Sequence, residues 1–211
     1  MIYAYVSFAE IGIDVTLTFP KNLWYDESIA DTCESFAPDI EGGPQEMAYE
    51  VKNLCETTRT KLKEAIAKME LFLNHYCLPQ LLTENDPAME EFYRGYLSDT
   101  RHLLVFCEVC YDKLGVCLRR PHFNADFAEK VLYDVYHNCV NGFFYPKNEC
   151  YSEDGRYAYT GQDAIRFRKK PCREVRNLTI ELSKIFEELR EDLVYYETDY
   201  MTQKRMQGNR S

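Results

Sequence analysis

One stretch of sequence decides the fold most clearly: residues 86–121, DPAMEEFYRGYLSDTRHLLVFCEVCYDKLGVCLRRP. Asp86 and Pro87 are typical of a helix start, because an aspartate caps free backbone amides and proline loses no hydrogen bond at the first position. Apolar side chains then share one helical face, at Met89, Phe92, Tyr96, Leu103, Cys107, Cys110, Leu114 and Cys117. Pro121 stops the pattern, so the stretch predicts one long amphipathic helix.

Three further segments have the same helical spacing. They are Met47 to Cys77, Asn124 to about Gly142, and about Pro171 to Met201. None of these helices can bury its apolar face alone, so packing all four together is the economical arrangement. We therefore expect a mainly α protein, a four-helix antiparallel bundle, whose up-down order remains open. Residues 47–203 would be a single helical-bundle domain, and residues 204–211 a disordered tail.

The segment before Met47 differs in charge from the rest of the chain. Residues 1–46 contain nine acidic residues and one base, and Gly42-Gly43-Pro44 marks the boundary. Alternating apolar residues from Ile11 to Phe19 predict a strand, with Ile2 to Phe8 as its hairpin partner. The alternative is a mis-called start, because codons for Glu41-Gly42-Gly43 can form a ribosome-binding sequence upstream of Met47. The intact mass of the natural protein separates these two hypotheses.

Composition narrows the class of protein. The chain has 211 residues, 45% hydrophobic, and a net charge of -10. We expect no signal peptide, because the first residues lack a basic region, and no membrane span, because no apolar run approaches about 20 residues. Nine cysteines are scattered through predicted helices. This pattern favours reduced thiols and a cytoplasmic location over a disulfide scaffold.

Between the third and fourth predicted helices, residues 141–171 are aromatic, basic and rich in glycine and proline. Asp154-Gly155 and Thr160-Gly161 are turn signals, so we expect a small β-hairpin or irregular flap. A basic cluster follows, composed of Arg166, Arg168, Lys169, Lys170, Arg173 and Arg176.

With Tyr157 and Tyr159, this cluster is suited to phosphate contact and to stacking against a base or peptide. The alternative is a solvated strand edge, or salt bridges with Glu149, Glu153 and Asp154. Tyr195 lies off the apolar face of the fourth helix and is a candidate for a contact surface.

Other motifs predict no specific chemistry. Cys107 and Cys110 form a CxxC pair within a helix, where two buried thiols are expected rather than a metal or redox site. Asp99/His102 and Asp134/His137 have the spacing of metal-binding pairs, but helical geometry places both histidines away from the apolar faces, so we expect solvated surface pairs. No nucleophile elbow or phosphate loop is present. We therefore expect no metal or cofactor.

Residues 47–203 resemble the YpuI-like family of uncharacterised proteins from Firmicutes. Four groups of segments carry the resemblance: Leu103 to Glu108, Phe144 to Asn148, Tyr157 to Gly161 with Ile165 to Phe167, and Tyr195 to Tyr200. The resemblance implies a bacterial cytoplasmic protein of unknown function and supplies no catalytic residue.

The first hypothesis for function is a protein-interaction or scaffold and regulatory module that binds a partner, or itself, through the flap and the aromatic end of the fourth helix. The second is a nucleic-acid or phosphate-ligand binder that uses residues 166–176, although the net charge opposes nucleic acid. The third is an enzyme without a recognisable motif, and the sequence leans against it.

Overall fold

The computed structural model of the chain describes residues 3–8, 13–18, 44–82, 86–153 and 165–208, with side chains from Met47 onward. The chain divides into two units, Met1–Glu41 and Gly42–Ser211. In the first unit, β1 (Tyr3–Phe8) pairs antiparallel with β2 (Ile13–Thr18), with Tyr3 opposite Thr18 and Phe8 opposite Ile13.

The second unit begins with α1 (Pro44–His75), the short α2 (Leu78–Leu81) and α3 (Pro87–Arg119). As predicted, Asp86 caps α3, its Oδ1 accepting the Ala88 amide at 2.9 Å. Helix α1 starts at Pro44 rather than at Met47, because proline is well suited to a first helical turn.

The third predicted helix has three parts: α4 (Ala125–Asp134), a π-helical segment (Val135–Val140) and α5 (Asn141–Phe144). Asn124 caps it through a 2.9 Å hydrogen bond from the Phe127 amide. The helix passes through Gly142 and ends at Phe144, since Val140 and Asn141 keep right-handed helical dihedral angles.

The fourth predicted helix is interrupted. It comprises α6 (Arg173–Asp192), a 3-10 turn (Val194–Tyr196) and α7 (Asp199–Gly208). Leu193, at φ -108° and ψ 14°, departs from helical geometry and separates the first two parts. Residues 204–208, predicted as part of a tail, are helical, and residues 209–211 lie outside the described part of the chain.

The predicted flap contains a two-stranded antiparallel sheet, β3 (Tyr151–Glu153) and β4 (Ile165–Phe167). Tyr151 lies opposite Phe167, and Ser152 lies opposite Arg166. The turn signals Asp154-Gly155 and Thr160-Gly161 are outside the described residues.

One hydrophobic core joins the helices of the second unit, which is mainly helical. Helix α1 contacts α3, α4 and α6, and α3 also contacts α4. Two salt bridges join α1 to α6, one between Lys61 and Asp192 at 2.8 Å and one between Lys68 and Glu181 at 2.9 Å. From the first pair to the second, the residue number rises in α1 and falls in α6. The largest fully buried side chains are those of Phe143, Phe144, Phe186, Leu62, Met69, Leu114, Leu132, Leu189 and Leu193.

Among the described residues, no helix has the length and apolarity that crossing a membrane requires.

Candidate functional site

The flap, residues 145–153 and 165–172 of the described chain, is fixed to α3 through the turn at Asn148. The Asn148 backbone amide donates to Asp99 Oδ2 at 3.0 Å, and its Nδ2 donates to Asp99 Oδ1 at 2.7 Å. Nδ2 also reaches the Gly95 carbonyl at 3.4 Å. The interpretation of Asp99 as a solvated partner of His102 is therefore wrong, because its carboxylate caps this turn.

The next two residues continue the attachment. Glu149 has a φ of 49°, in the left-handed region that non-glycine residues rarely adopt. The Cys150 thiol donates to the Phe92 carbonyl at 3.4 Å. The turn thus follows the surface of α3 with a backbone conformation that the surrounding contacts must hold in place.

On its other side, the flap is fixed to α6 by Arg190. This guanidinium forms a 2.9 Å salt bridge with Glu153 in β3 and lies 4.2 Å from the ring centroid of Phe144. The hydrogen bond to Glu153 raises the pKa of Arg190 above its ordinary value. A planar cation is suited to both contacts, since it can stack and pair at once.

Aromatic rings form the floor beneath the flap. Tyr151 packs between Phe143, at 5.6 Å between ring centroids, and Phe167, at 6.0 Å. Phe143 stacks on Phe186 of α6 at 4.8 Å. Burial raises the pKa of Tyr151 well above its ordinary value, so this phenol keeps its proton.

An open groove of about 740 Å³ lies on the flap, and we call it the flap groove. Its lining residues come from the end of α5, the anchored turn and both strands: Phe144, Tyr145, Pro146, Lys147, Glu149, Tyr151, Ser152, Arg166, Phe167 and Arg168. The volume lies within the range of roughly 300–1,000 Å³ that is usual for small-molecule sites.

Among the described residues, three cations line the flap groove: Lys147, Arg166 and Arg168. No salt bridge links any of them to another of the residues that the structure describes. Glu149 is the single acidic side chain among the lining residues that the structure describes. Tyr145, also in the lining, is 72% exposed. The groove therefore combines an accessible aromatic ring with positive charge that no described acid pairs with.

The other members of the basic cluster lie elsewhere. Lys169 donates to the Ala88 carbonyl at the start of α3, at 2.8 Å. With Arg168 it borders a separate cavity of about 160 Å³. Lys170, Arg173 and Arg176 are exposed and do not line the flap groove. Tyr157 and Tyr159 are outside the described residues. The structure thus brings only Arg166 and Arg168 together, and adds Lys147.

Tyr195 is at the opposite end of α6 from the basic cluster. Its hydroxyl donates to Gln203 Oε1 at 2.9 Å, and its ring packs against Tyr196 with centroids 5.0 Å apart. Burial raises its pKa above the ordinary value. Tyr195 is half-buried and joins the local packing of α7, apart from the flap groove.

His137 differs from its prediction as a solvated side chain. It is half-buried, with Nε2 donating to the Tyr196 carbonyl at 3.1 Å and its ring 4.2 Å from that of Tyr133. The π-helical segment turns less per residue than an α-helix, which rotates His137 from the position that α-helical spacing predicts.

The CxxC pair is buried. The hydrogen bond between the Cys139 and Cys107 thiols, together with burial, raises the pKa of Cys139 well above its ordinary value, although the contact with Cys110 acts in the opposite direction. Within the described residues, no group of three or more histidines, cysteines or acids is arranged to hold a metal ion. Protonated, buried thiols are poor nucleophiles and poor metal ligands.

A family model described as "Protein of unknown function (DUF3907)" matches residues 55–202, which include α3, the flap and most of α6 to α7. The chain belongs to the DUF3907 family. It is 33% identical over 155 residues to "Uncharacterized protein YpuI" from Bacillus subtilis (strain 168), an alignment that covers 73% of this chain and 86% of that protein. This confirms the predicted YpuI-like family. No solved structure matches the chain.

Within this DUF3907 chain, sequence reasoning did not select Lys147 and Tyr145 as site residues. Both belong to Phe144 to Asn148, a segment used only for the family resemblance. The sequence signal for them was Pro146, because proline favours a turn. A turn at Pro146 places Tyr145 and Lys147 beside the strands of the flap.

Proposed function

We propose that this DUF3907 protein is an interaction module that holds the anionic group of a partner in the flap groove. The observation that carries the proposal is a trio of cations, Lys147, Arg166 and Arg168, that form no salt bridge with another described residue, in a chain whose net charge is -10. Positive side chains that are gathered at a concave surface attract a negatively charged partner.

A four-helix antiparallel bundle is the proposed support for this groove. Contacts between neighbouring helices favour it: Phe72 with Tyr96 and Arg59 with Tyr111 between α1 and α3, and the Lys61 and Lys68 salt bridges between α1 and α6. In each of these two pairs of helices, the residue numbers of the contacts rise along one helix and fall along the other. Such a bundle supplies a fixed scaffold, and the flap then acts as its recognition element.

A non-enzymatic role in the cytoplasm fits the side chains around this site. Burial raises the pKa of Cys150 to about 11, so the thiol nearest the groove stays protonated near neutral pH. Every cysteine in the described residues is a free thiol, which is usual in a reducing compartment.

A phosphate ligand is the second candidate, and the size of the groove favours it. A cavity of about 740 Å³ suits a compact ligand better than a long nucleic acid, which the overall negative charge would repel.

The test compares three forms of the tagged chain, recovered from the bacterial cells in which it occurs. Arg166→Glu/Arg168→Glu reverses the groove charge, while Lys52→Glu/Lys184→Glu makes the same change in charge at exposed sites on α1 and α6. We expect a partner that the parent and the control retain at low salt and that the groove variant loses. Identical partners in all three forms would contradict the proposal.

A further inference from the structure

We propose that the flap groove binds a mononucleotide, with its phosphate on Arg166 and Arg168 and its base against Tyr145. This rests on the proposed function in using the same groove, and it names the class of ligand.

The phosphate position follows from the geometry of β4. Alternate residues of a strand face the same side, so Arg166 and Arg168 project together, about 6.6 Å apart along the strand. The Arg168 amide donates to the Cys150 carbonyl at 3.0 Å, which extends the strand pairing past Phe167. Both guanidinium groups are exposed, and each can donate two parallel hydrogen bonds to phosphate oxygens. Lys147 adds a third positive charge.

The base position follows from Tyr145. Its ring lines the groove and is 72% exposed, the largest exposed fraction among the exposed large hydrophobic side chains of the described residues. The residue follows directly after α5, and neighbouring Pro146 is buried, so the backbone beneath the ring is fixed. An aromatic side chain in this position offers a stacking surface to any nucleobase.

The sugar of the proposed mononucleotide follows from Glu149. Its carboxylate is the single acid among the described lining residues, and it has no salt bridge with any of the residues that the structure describes. A carboxylate disfavours a bare phosphate but accepts hydrogen bonds from hydroxyl groups. It therefore favours a ligand with a hydroxylated sugar between the phosphate and the base.

Rigidity and size favour a mononucleotide over larger anions. The Asp99–Asn148 hydrogen bonds, the Arg190–Glu153 salt bridge and the Lys169 contact to Ala88 hold the walls before any ligand arrives. A preformed site loses little entropy on binding a small ligand. The groove volume of about 740 Å³ also suits a small ligand, because small-molecule sites occupy roughly 300–1,000 Å³.

Isothermal titration at low salt tests the proposal, using the full chain and seven probes. These are AMP, GMP, CMP and UMP, together with adenosine, ribose 5-phosphate and inorganic phosphate. We expect at least one mononucleotide to bind about tenfold or more tightly than ribose 5-phosphate, because stacking of the base adds to the affinity. Adenosine should bind far more weakly than AMP, because it lacks the phosphate.

Three variants locate the site. Tyr145→Ala should weaken mononucleotide binding about tenfold and leave inorganic phosphate binding unchanged. Arg166→Glu/Arg168→Glu should abolish both, whereas Lys52→Glu/Lys184→Glu should bind like the parent. All substituted side chains are exposed, and equal thermal unfolding midpoints will show that each variant folds.

Three outcomes would overturn the inference: no mononucleotide binds, ribose 5-phosphate binds as tightly as every mononucleotide, or the groove variant binds like the parent. If mononucleotides fail to bind while a protein partner is still lost from the Arg166→Glu/Arg168→Glu variant, the proposed function stands and this inference falls.

Discussion

Gly95 sets how closely the flap approaches α3. A Cβ atom at this position would lie 3.0 Å from Asn148 Cβ and 3.2 Å from Cys150 Sγ. Asn148 cannot move away easily, because three hydrogen bonds hold it to Asp99 and to the Gly95 carbonyl. The glycine is therefore required by contact with the turn.

Gly142 offers a matched comparison, because its added Cβ would meet only Leu103 Cδ1, at an ordinary 3.6 Å. We expect Gly142→Ala to raise the free energy of unfolding by about 0.5–1 kcal/mol through helix propensity. Gly95→Ala should lower it, because the same gain is outweighed by displacement of the turn. Urea unfolding measures both, and an equal increase for the two variants would contradict the close contact.

The thiols should react according to their burial. Cys77 is exposed, whereas Cys55, Cys107, Cys110, Cys117, Cys139 and Cys150 are buried. Burial also raises the pKa of Cys55 to about 12, which removes the reactive thiolate near neutral pH. We expect iodoacetamide at pH 8 to alkylate Cys77 within minutes and the six buried thiols only after denaturation. Peptide mass spectrometry resolves each site, and rapid native alkylation of Cys110 or Cys139 would contradict the burial.

At the scale of single elements, β3 depends on one side chain of α6. Arg190 both pairs with Glu153 and stacks on Phe144. We expect Arg190→Ala to cost about 1–2 kcal/mol of unfolding free energy, the combined size of an ion pair and a cation–π contact. Arg190→Lys should lie between, since it keeps the charge and loses the planar stack.

Urea unfolding and amide hydrogen exchange of Tyr151 to Glu153 measure this effect. Lys184→Ala, on the exposed face of α6, is the control. If Arg190→Ala matches that control in both measurements, β3 is held by other contacts.

The helices show which structural features a sequence pattern is enough to predict. Asp86 and Asn124 are local signals, and each caps the helix that it was expected to begin. The π-helical segment and the break at Leu193 have no comparable signal, because both depend on how distant side chains pack. His137 shows the consequence: a face deduced from α-helical spacing becomes wrong once the spacing itself changes.

The candidate site was predictable to a lesser degree. Arg166 and Arg168 were visible as a charge pattern and do line the groove, but Lys169 lies beside them in sequence and contacts Ala88 instead. Lys169 lies beyond the end of β4, so its direction depends on where the strand stops, which the charge pattern does not indicate. The role of Asp99 rests on a contact 49 residues away, which a single sequence does not encode locally.

At the scale of the whole molecule, buried thiol and phenol groups with raised pKa values predict that the folded state loses stability in alkali. Burial raises the pKa of Cys55 from 9.0 to about 12 and that of Tyr136 from 10.0 to about 12. Between pH 9 and 12 the folded protein therefore binds more protons than the unfolded chain, so its stability falls as the pH rises. The stabilisation is complete below about pH 9 and is lost progressively up to pH 12.

Urea unfolding midpoints at pH 8.0 and 10.5 test this sign. We expect the lower midpoint at pH 10.5. A midpoint that is unchanged or higher would show that these groups are not buried as the structure describes.

Because Asp99 belongs to α3 and Arg190 to α6, the two attachments of the flap end on different helices. Any sliding of α3 past α6 must then alter the width of the groove, and a ligand that fills the groove must resist that sliding. Such a ligand would stabilise the folded protein by mass action, increasingly with its concentration. A ligand in the flap groove would therefore stiffen the packing of α3 against α6.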